Sequence, residues 1–427
     1  MEYKHWKKHK CKFKEDKPIK YVYPNQKEQF DRFCKFIIPY LKKHPFFKKV
    51  WVWGSLSRGN FGIYKELYHK QNGSDVDLLV EVDESYKIPP EFRELKEWTK
   101  KRTYSRAFYS KIIFKNKLPV SKTINHKIDF ICHFPSKHTK DGFYSKINNS
   151  KLIYEKKELN FSIFSDVHYN LKSKENTSKG IKGKESVKNF PELINKLKKL
   201  KLDFIVNLGD LVETKPKKSF PIILNQLKKL PYQTFHVIGN HELELLNMKE
   251  LKDVLNLKQS YYAMEIKGYK LIFLNSFDRK ASKPDYRRKS RVIGGKISTR
   301  QIKWLKKELK STKGKALVFI HKLLSDQKLD TNPIWSIAPE RYTKVENASE
   351  VRQILKKSKK VLAVFQGHIH QNSMIKINGT PYFTIQGFCQ NKNYSNKQKA
   401  SKSYAIVHIS NNSIIVDIKG DKKIYKS

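Results

Sequence analysis

Five short apolar runs punctuate the second part of the chain: Phe161–Phe164, Phe204–Leu208, Thr234–Ile238, Ala316–Ile320 and Val361–Phe365. Their length and their β-branched and aromatic content predict buried strands. Polar residues follow each run, in order Asp166-Val167-His168, Gly209-Asp210, Gly239-Asn240-His241-Glu242, His321, and Gly367-His368-Ile369-His370. Donors at strand ends are expected to converge on one rim of a sheet. The first 150 residues are patterned differently. Phe30, Phe33, Phe36, Ile37 and Leu41 recur at helical spacing and predict a helix over Gln26–Lys43. Val50–Trp53 reads as a strand closing on Gly54-Ser55, and Trp51 and Trp53 share one of its faces as core. Further strands are predicted at Val76–Val82 and Lys127–Ile131, with a helix over Pro90–Arg102 between them.

The donors after the five runs suit a pair of divalent cations. Two such ions about 3.5–4 Å apart share a carboxylate and activate water for attack on phosphorus. Asp210 is the expected bridge, because Gly209 lets the backbone turn sharply. Asp166, His168 and His370 would complete one ion, and Asn240, His321 and His368 the other. Carboxylate, amide and imidazole together suit Mn, Fe, Zn or Ni better than Mg or Ca. His241 is left to protonate a leaving oxygen, with Glu242 to orient it.

In the first part, alternation puts Asp75 and Asp77 on one strand face, and Asp129 lies beside them if the two strands pair. Three clustered carboxylates suit Mg²⁺ held together with substrate phosphates. Gly54-Ser55, expected at a turn into a helix, offers backbone N–H groups to a nucleoside triphosphate.

The later series resembles the calcineurin-like metallophosphoesterase superfamily, with D-x-H, G-D, G-N-H-E, H and G-H-x-H in order over residues 158–420. The resemblance implies a four-layer α/β/β/α sandwich and hydrolysis of phosphomonoesters or phosphodiesters. Where many relatives have a proline two residues after the fourth-motif histidine, this chain has Leu323. The earlier residues resemble small polymerase-β-type nucleotidyltransferases, implying an α+β fold over residues 20–135. Nineteen residues separate Ser55 from Asp75, where about a dozen or fewer are usual, so residues 60–71 are expected to lengthen a helix or add a loop. The whole is thus an α/β chain of two domains, 20–135 and 158–427, joined by a polar linker at 136–157.

Composition changes this picture mainly through charge. The formal net charge is +49, from 89 basic and 40 acidic residues. That field suits RNA or DNA as a partner. AT-rich coding accounts for it equally well, since only 12 of the basic residues are arginine. Four of those fall within Arg279–Arg291, and Arg287, Arg288 and Arg291 are candidates for capturing substrate phosphate. Lys172–Lys188 reads as a mobile loop beside the metals. Four cysteines without paired spacing, no apolar leader and no long apolar run predict a soluble cytoplasmic chain without a membrane partner. The expected function is a phosphoesterase fused to an Mg-dependent nucleotidyltransferase. Nucleic-acid ends, cyclic or other small nucleotides, an AMP-adding and AMP-removing regulator, and a nucleic-acid-binding module with degenerate sites all remain open.

Overall fold

The computed structural model describes residues 20–68, 71–100, 104–117, 123–138, 141–171, 181–213, 215–278, 295–329, 333, 335–391, 393–395 and 397–427. The chain divides into two compact units, Met1–Lys156 and Lys157–Ser427.

The first unit runs β1 (Lys20–Val22), α1 (Gln26–Lys43), β2 (Phe47–Trp53), β3 (Gly62–Tyr68), β4 (Gln71–Gly73) and β5 (Val76–Val82). It continues through β6 (Arg93–Glu94), α2 (Lys96–Thr99), β7 (Arg106–Lys117), β8 (Thr123–His133), α3 (Asp141–Ile147) and β9 (Lys151–Glu155). Six strands form a mixed sheet in the order β6-β7-β8-β5-β2-β9, and β1-β3-β4 form a small second sheet. Helix α1 buries Phe33, Ile37 and Leu41 in one core cluster with Val50, Val52 and Phe130. Trp51 packs with Leu79, Ile131 and Phe143 of α3 in another, so that tryptophan is core, as its strand position suggests.

Three expectations need correcting here. The segment expected as a linker contains α3 and β9, and β9 pairs with β2 as an edge strand of the main sheet. Its apolar Leu152-Ile153-Tyr154 run lies between charged residues, which blunt an exposed edge. Residues 60–71 add neither a longer helix nor a plain loop, because they contain β3, which pairs antiparallel with β4 at Gln71–Gly73. The helix expected over Pro90–Arg102 shrinks to Lys96–Thr99, because Arg93-Glu94 pairs with Phe108 and Tyr109 of β7.

The second unit begins with β10 (Glu158–Phe164), α4 (Gly183–Leu197), β11 (Phe204–Asn207), α5 (Pro216–Leu227), β12 (Thr234–His236), α6 (Asn240–Leu245) and α7 (Met248–Val254). Next come β13 (Tyr262–Ile266), β14 (Tyr269–Phe273), α8 (Thr299–Ser311), β15 (Lys315–Ile320), α9 (Glu340–Thr343), α10 (Ala348–Ser358) and β16 (Val361–Gln366). It closes with β17 (Ser373–Ile377), β18 (Thr380–Thr384), β19 (Tyr404–Ser410), β20 (Ser413–Lys419) and β21 (Lys423–Lys426). Two six-stranded sheets result, β12-β11-β10-β19-β20-β21 and β13-β14-β15-β16-β18-β17. Their facing sides share one core that includes Phe161, Phe204, Phe319 and Phe365. The outer face of the first sheet is covered by α4 and α5, and that of the second by α8 and α10. Helices therefore flank a sheet pair, giving the four-layer α/β/β/α sandwich. The Lys172–Lys188 stretch lies outside the described residues up to 180, and from Gly183 it is helix rather than loop.

One row of aromatic rings fixes the level of the strands. Tyr262, Phe273, Phe319, Phe365 and Phe383 are register partners on five adjacent strands. Successive rings stack at 4.6, 4.9, 5.4 and 5.3 Å. Such pairs are worth about 0.5–1.5 kcal/mol each beyond burial. Phe319 and Phe365 lie two and three residues before His321 and His368. A slip of one strand would therefore misplace a donor as well as break the stack.

Candidate metal centre

Every donor run follows the carboxyl end of a parallel strand, where α/β sheets commonly bind ligands. Asp166 and His168 follow β10, Asp210 follows β11, and Asn240 follows β12. His321 follows β15, and His368 and His370 follow β16 of the second sheet. The expected single-sheet rim is thus shared by two sheets. Gly367 N–H donates to the His321 carbonyl at 2.9 Å, Asp166 N–H to Gly209 at 3.0 Å, and His168 N–H to Asp210 at 2.9 Å.

The local backbone is unusual. Asp166, His168, Asp210, His368 and His370 all have φ between 47° and 71°. Left-handed non-glycine residues cost about 1–3 kcal/mol each and persist where the surroundings over-determine them. Gly209, at φ 104°, could not be replaced cheaply, since a Cβ there would lie 2.7 Å from His321 Nδ1.

All seven expected ligands are buried. His321 Nε2 lies 3.3 Å from Asp210 Oδ2, and His370 Nε2 lies 3.2 Å from Asp166 Oδ1. His168 Nε2 is 3.8 Å from Asp210 and 3.9 Å from Asp166. Asp166, His168 and Asp210 form one potential ion-holding group, and Asp210, His321 and His368 another, with Asp210 common to both. The Asn240 Oδ1 and Asp166 Oδ1 atoms are buried without a hydrogen bond, which is expensive unless a cation faces them.

The imidazoles make the same point through their tautomers. His321 Nδ1 sits 2.7 Å from the Leu208 carbonyl, and His368 Nε2 sits 2.7 Å from that of Tyr342. Each of these nitrogens must donate its N–H, as metal-bound histidines commonly do to oxygen acceptors. In neutral rings the other two nitrogens, His321 Nε2 and His368 Nδ1, then face each other with lone pairs at 3.1 Å. That arrangement suits a bound cation. Burial lowers the His321 pKa, but Asp210 and Asp166 outweigh it and hold it at about 9. A metal bound there displaces that proton.

His241 is a quarter exposed, with Nε2 4.0 Å from Asp210 Oδ2. Glu242 does not orient it. Glu242 folds back to accept N–H bonds from Asp210 at 3.1 Å and Gly239 at 3.0 Å, and another from Leu211. Burial and the Asp210 charge raise its carboxyl to about 7. The residue touching His241 is Glu213, 2.8 Å from its Nδ1 and 2.6 Å from His168 Nδ1. The sequence carried a signal for it, an acid three residues after Asp210 across the buried pair Leu211-Val212. Glu213→Gln is expected to weaken metal affinity or turnover by about 10–100-fold, the usual effect of losing a carboxylate behind a ligand histidine. Metal titration and kcat would measure it, and unchanged values would remove the role. Arg287, Arg288 and Arg291 lie outside the described residues.

Residues 159–372, half of the chain, match the calcineurin-like phosphoesterase family. The chain belongs to that family. As a calcineurin-like phosphoesterase it is a metal-dependent hydrolase, and its donors form groups able to hold the two metals expected of such enzymes. A protein of Fibrobacter succinogenes described as a probable cyclic nucleotide phosphodiesterase is 26% identical over 228 residues, 52% of this chain and 77% of that one. The fold is similar to that of a dimetal phosphatase from Danio rerio, with a TM-score of 0.51 and 14% identity, covering 63% of this chain and 98% of that one. Among the described residues no helix is long and apolar enough to cross a membrane.

In the first unit, Asp77 and Asp129 are register partners on the parallel strands β5 and β8, and Asp75 immediately precedes β5. Burial, then the charges of Asp75 and Asp77, hold the Asp129 carboxyl well above its usual range. Gly54, at φ 78°, lies against the same group, because a Cβ there would come 2.7 Å from Asp77 Oδ2. The expected helix after Gly54-Ser55 is absent. Instead Arg58 N–H returns to the Gly54 carbonyl at 3.2 Å and Asn60 N–H to that of Ser55 at 3.0 Å, forming a tight turn.

Proposed function

We propose that the second unit hydrolyses phosphate esters of nucleotides or nucleic-acid ends, and that the first transfers a nucleotidyl group from a nucleoside triphosphate with Mg²⁺. For the hydrolase, Asp210 would be shared by two ions (Mn, Fe, Zn or Ni), with Asp166, His168 and His370 completing the ligands of one and Asn240, His321 and His368 those of the other. The carrying observation is the approach of His321 Nε2 and His368 Nδ1, 3.1 Å apart, beside the Asp210 carboxylate. When bound, the ions supply charge that polarises the phosphoryl group and activates water. The chain's own contribution is to hold the imidazoles in one tautomer and to present His241, seated by Glu213, to the leaving oxygen.

For the transferase, the support is the meeting of Gly54, Asp77 and Asp129 at neighbouring strand positions. Carboxylates this close repel unless cations lie between them. The net charge of +49 favours a polyanionic substrate. The two activities then combine as end processing, in which a terminal phosphate or cyclic phosphate is cleared before nucleotide addition.

The description of the Fibrobacter relative favours a second reading, a small cyclic nucleotide as substrate. Incubation with 3′-phosphorylated RNA, nucleoside triphosphates and Mn²⁺, beside cyclic AMP, separates the two. Phosphate release followed by extension supports end processing. Neither release nor extension removes it, and preferential turnover of cyclic AMP favours the small-nucleotide reading.

A further inference from the structure

Cys389 is fully buried beside the metal centre, and neither the sequence motifs nor the ligand set above uses it. The loop after β18 that carries it is strapped to the Asp166 turn. Phe388 N–H donates to the Ser165 carbonyl at 2.8 Å, and Cys389 N–H reaches that of Asp166 at 3.4 Å. On its other side, Lys182 N–H donates to the Cys389 carbonyl at 2.9 Å. These bonds hold the thiol where one ligand atom from each of Cys389, His168 and His370 lies within 4.8 Å of the others.

The same corner holds buried polar atoms without a hydrogen bond, Asp166 Oδ1 and His370 Nδ1. His168 Nε2 and His370 Nε2 stand 3.2 Å apart, and Asp166 Oδ1 is 3.2 Å from the latter. Two imidazole nitrogens and a sulfur therefore lie together in a buried corner, with a carboxylate oxygen 3.2 Å from His370 Nε2.

We propose that Cys389 is a further ligand of the ion held by Asp166, His168 and His370. Binding forms a metal–sulfur bond and breaks the S–H bond, and the proton leaves to solvent. A soft thiolate biases that position toward Zn or Fe and away from Mn. The proposal rests on the two-metal reading, and its test separates the two.

X-ray absorption at the zinc edge of the zinc-loaded full chain reads the ligand directly. The expected result is one sulfur scatterer per two zinc ions at about 2.3 Å. Cys389→Ser should lose that shell while still binding two ions. Its zinc affinity should fall about 10-fold or more while its manganese affinity changes far less. Two zinc ions with only nitrogen and oxygen neighbours would overturn the thiolate and leave the dinuclear site standing. A sulfur shell that survives Cys389→Ser would also overturn it. Fewer than two ions in the wild-type chain would overturn the dinuclear reading and this proposal together. The wild-type spectrum decides the matter even if the variant does not fold.

Discussion

Replacing Asp210 with asparagine is expected to lower kcat for phosphoester hydrolysis by about 1000-fold or more, a loss of roughly 4 kcal/mol of transition-state stabilisation. The substitution keeps size and removes charge. Asparagine can still accept the His241 N–H that reaches Asp210 Oδ1 at 2.9 Å, so the turn at the strand end should survive. What disappears is the anionic oxygen that faces His321 at 3.3 Å, His168 at 3.8 Å and His241 at 4.0 Å. An amide can bind one cation weakly but does not hold two together. Elemental analysis should accordingly fall from two ions per chain toward one. The contrast with Glu213→Gln is informative, because Glu213 meets His168 and His241 at Nδ1 rather than at the Nε2 atoms that face Asp210. Near-normal turnover with two ions retained in the Asp210 variant would show that the shared ligand lies elsewhere.

The parts legible in the sequence were those fixed by local pattern. Runs such as Ala316–Ile320 and Val361–Phe365 are apolar over a strand's length, so both the strands and the donors after them could be named. Their distribution between two sheets depends on long-range pairing that no local pattern encodes, as with β10 against β19. Glu213 fills the role expected of Glu242 for a related reason. Adjacency in sequence suggested Glu242 as the partner of His241, but at the third position of its helix it turns back to the N-terminal N–H groups. In the first unit the Asp77–Asp129 pairing followed from alternation once two strands were assumed adjacent. The β9 edge strand was hidden because five residues with charged flanks read as polar linker. The long β7 was also missed. Its partner β8 was only partly anticipated, and the two pair over most of their lengths.

Asp75→Ala combined with Asp77→Ala is expected to reduce nucleotidyl transfer by about 1000-fold or more while leaving phosphoesterase kcat within about twofold. The first effect follows if the pair, with Asp129, holds the Mg²⁺ that carries the triphosphate. The second follows because the two units have separate cores. Val50, Val52 and Phe130 belong to one, whereas Phe161, Phe319 and Phe365 belong to another. Removing Asp75 and Asp77 also relieves the repulsion that, after burial, raises the Asp129 carboxyl. Labelled nucleoside triphosphate with Mg²⁺, offered RNA or polypeptide acceptors, measures the transfer. Hydrolysis of a phosphodiester with Mn²⁺ measures the other activity on the same preparation. Transfer that persists in the double variant would overturn the carboxylate assignment. Loss of both activities at unchanged thermal stability would mean that the aspartates serve the hydrolase too, and that the two units do not work independently.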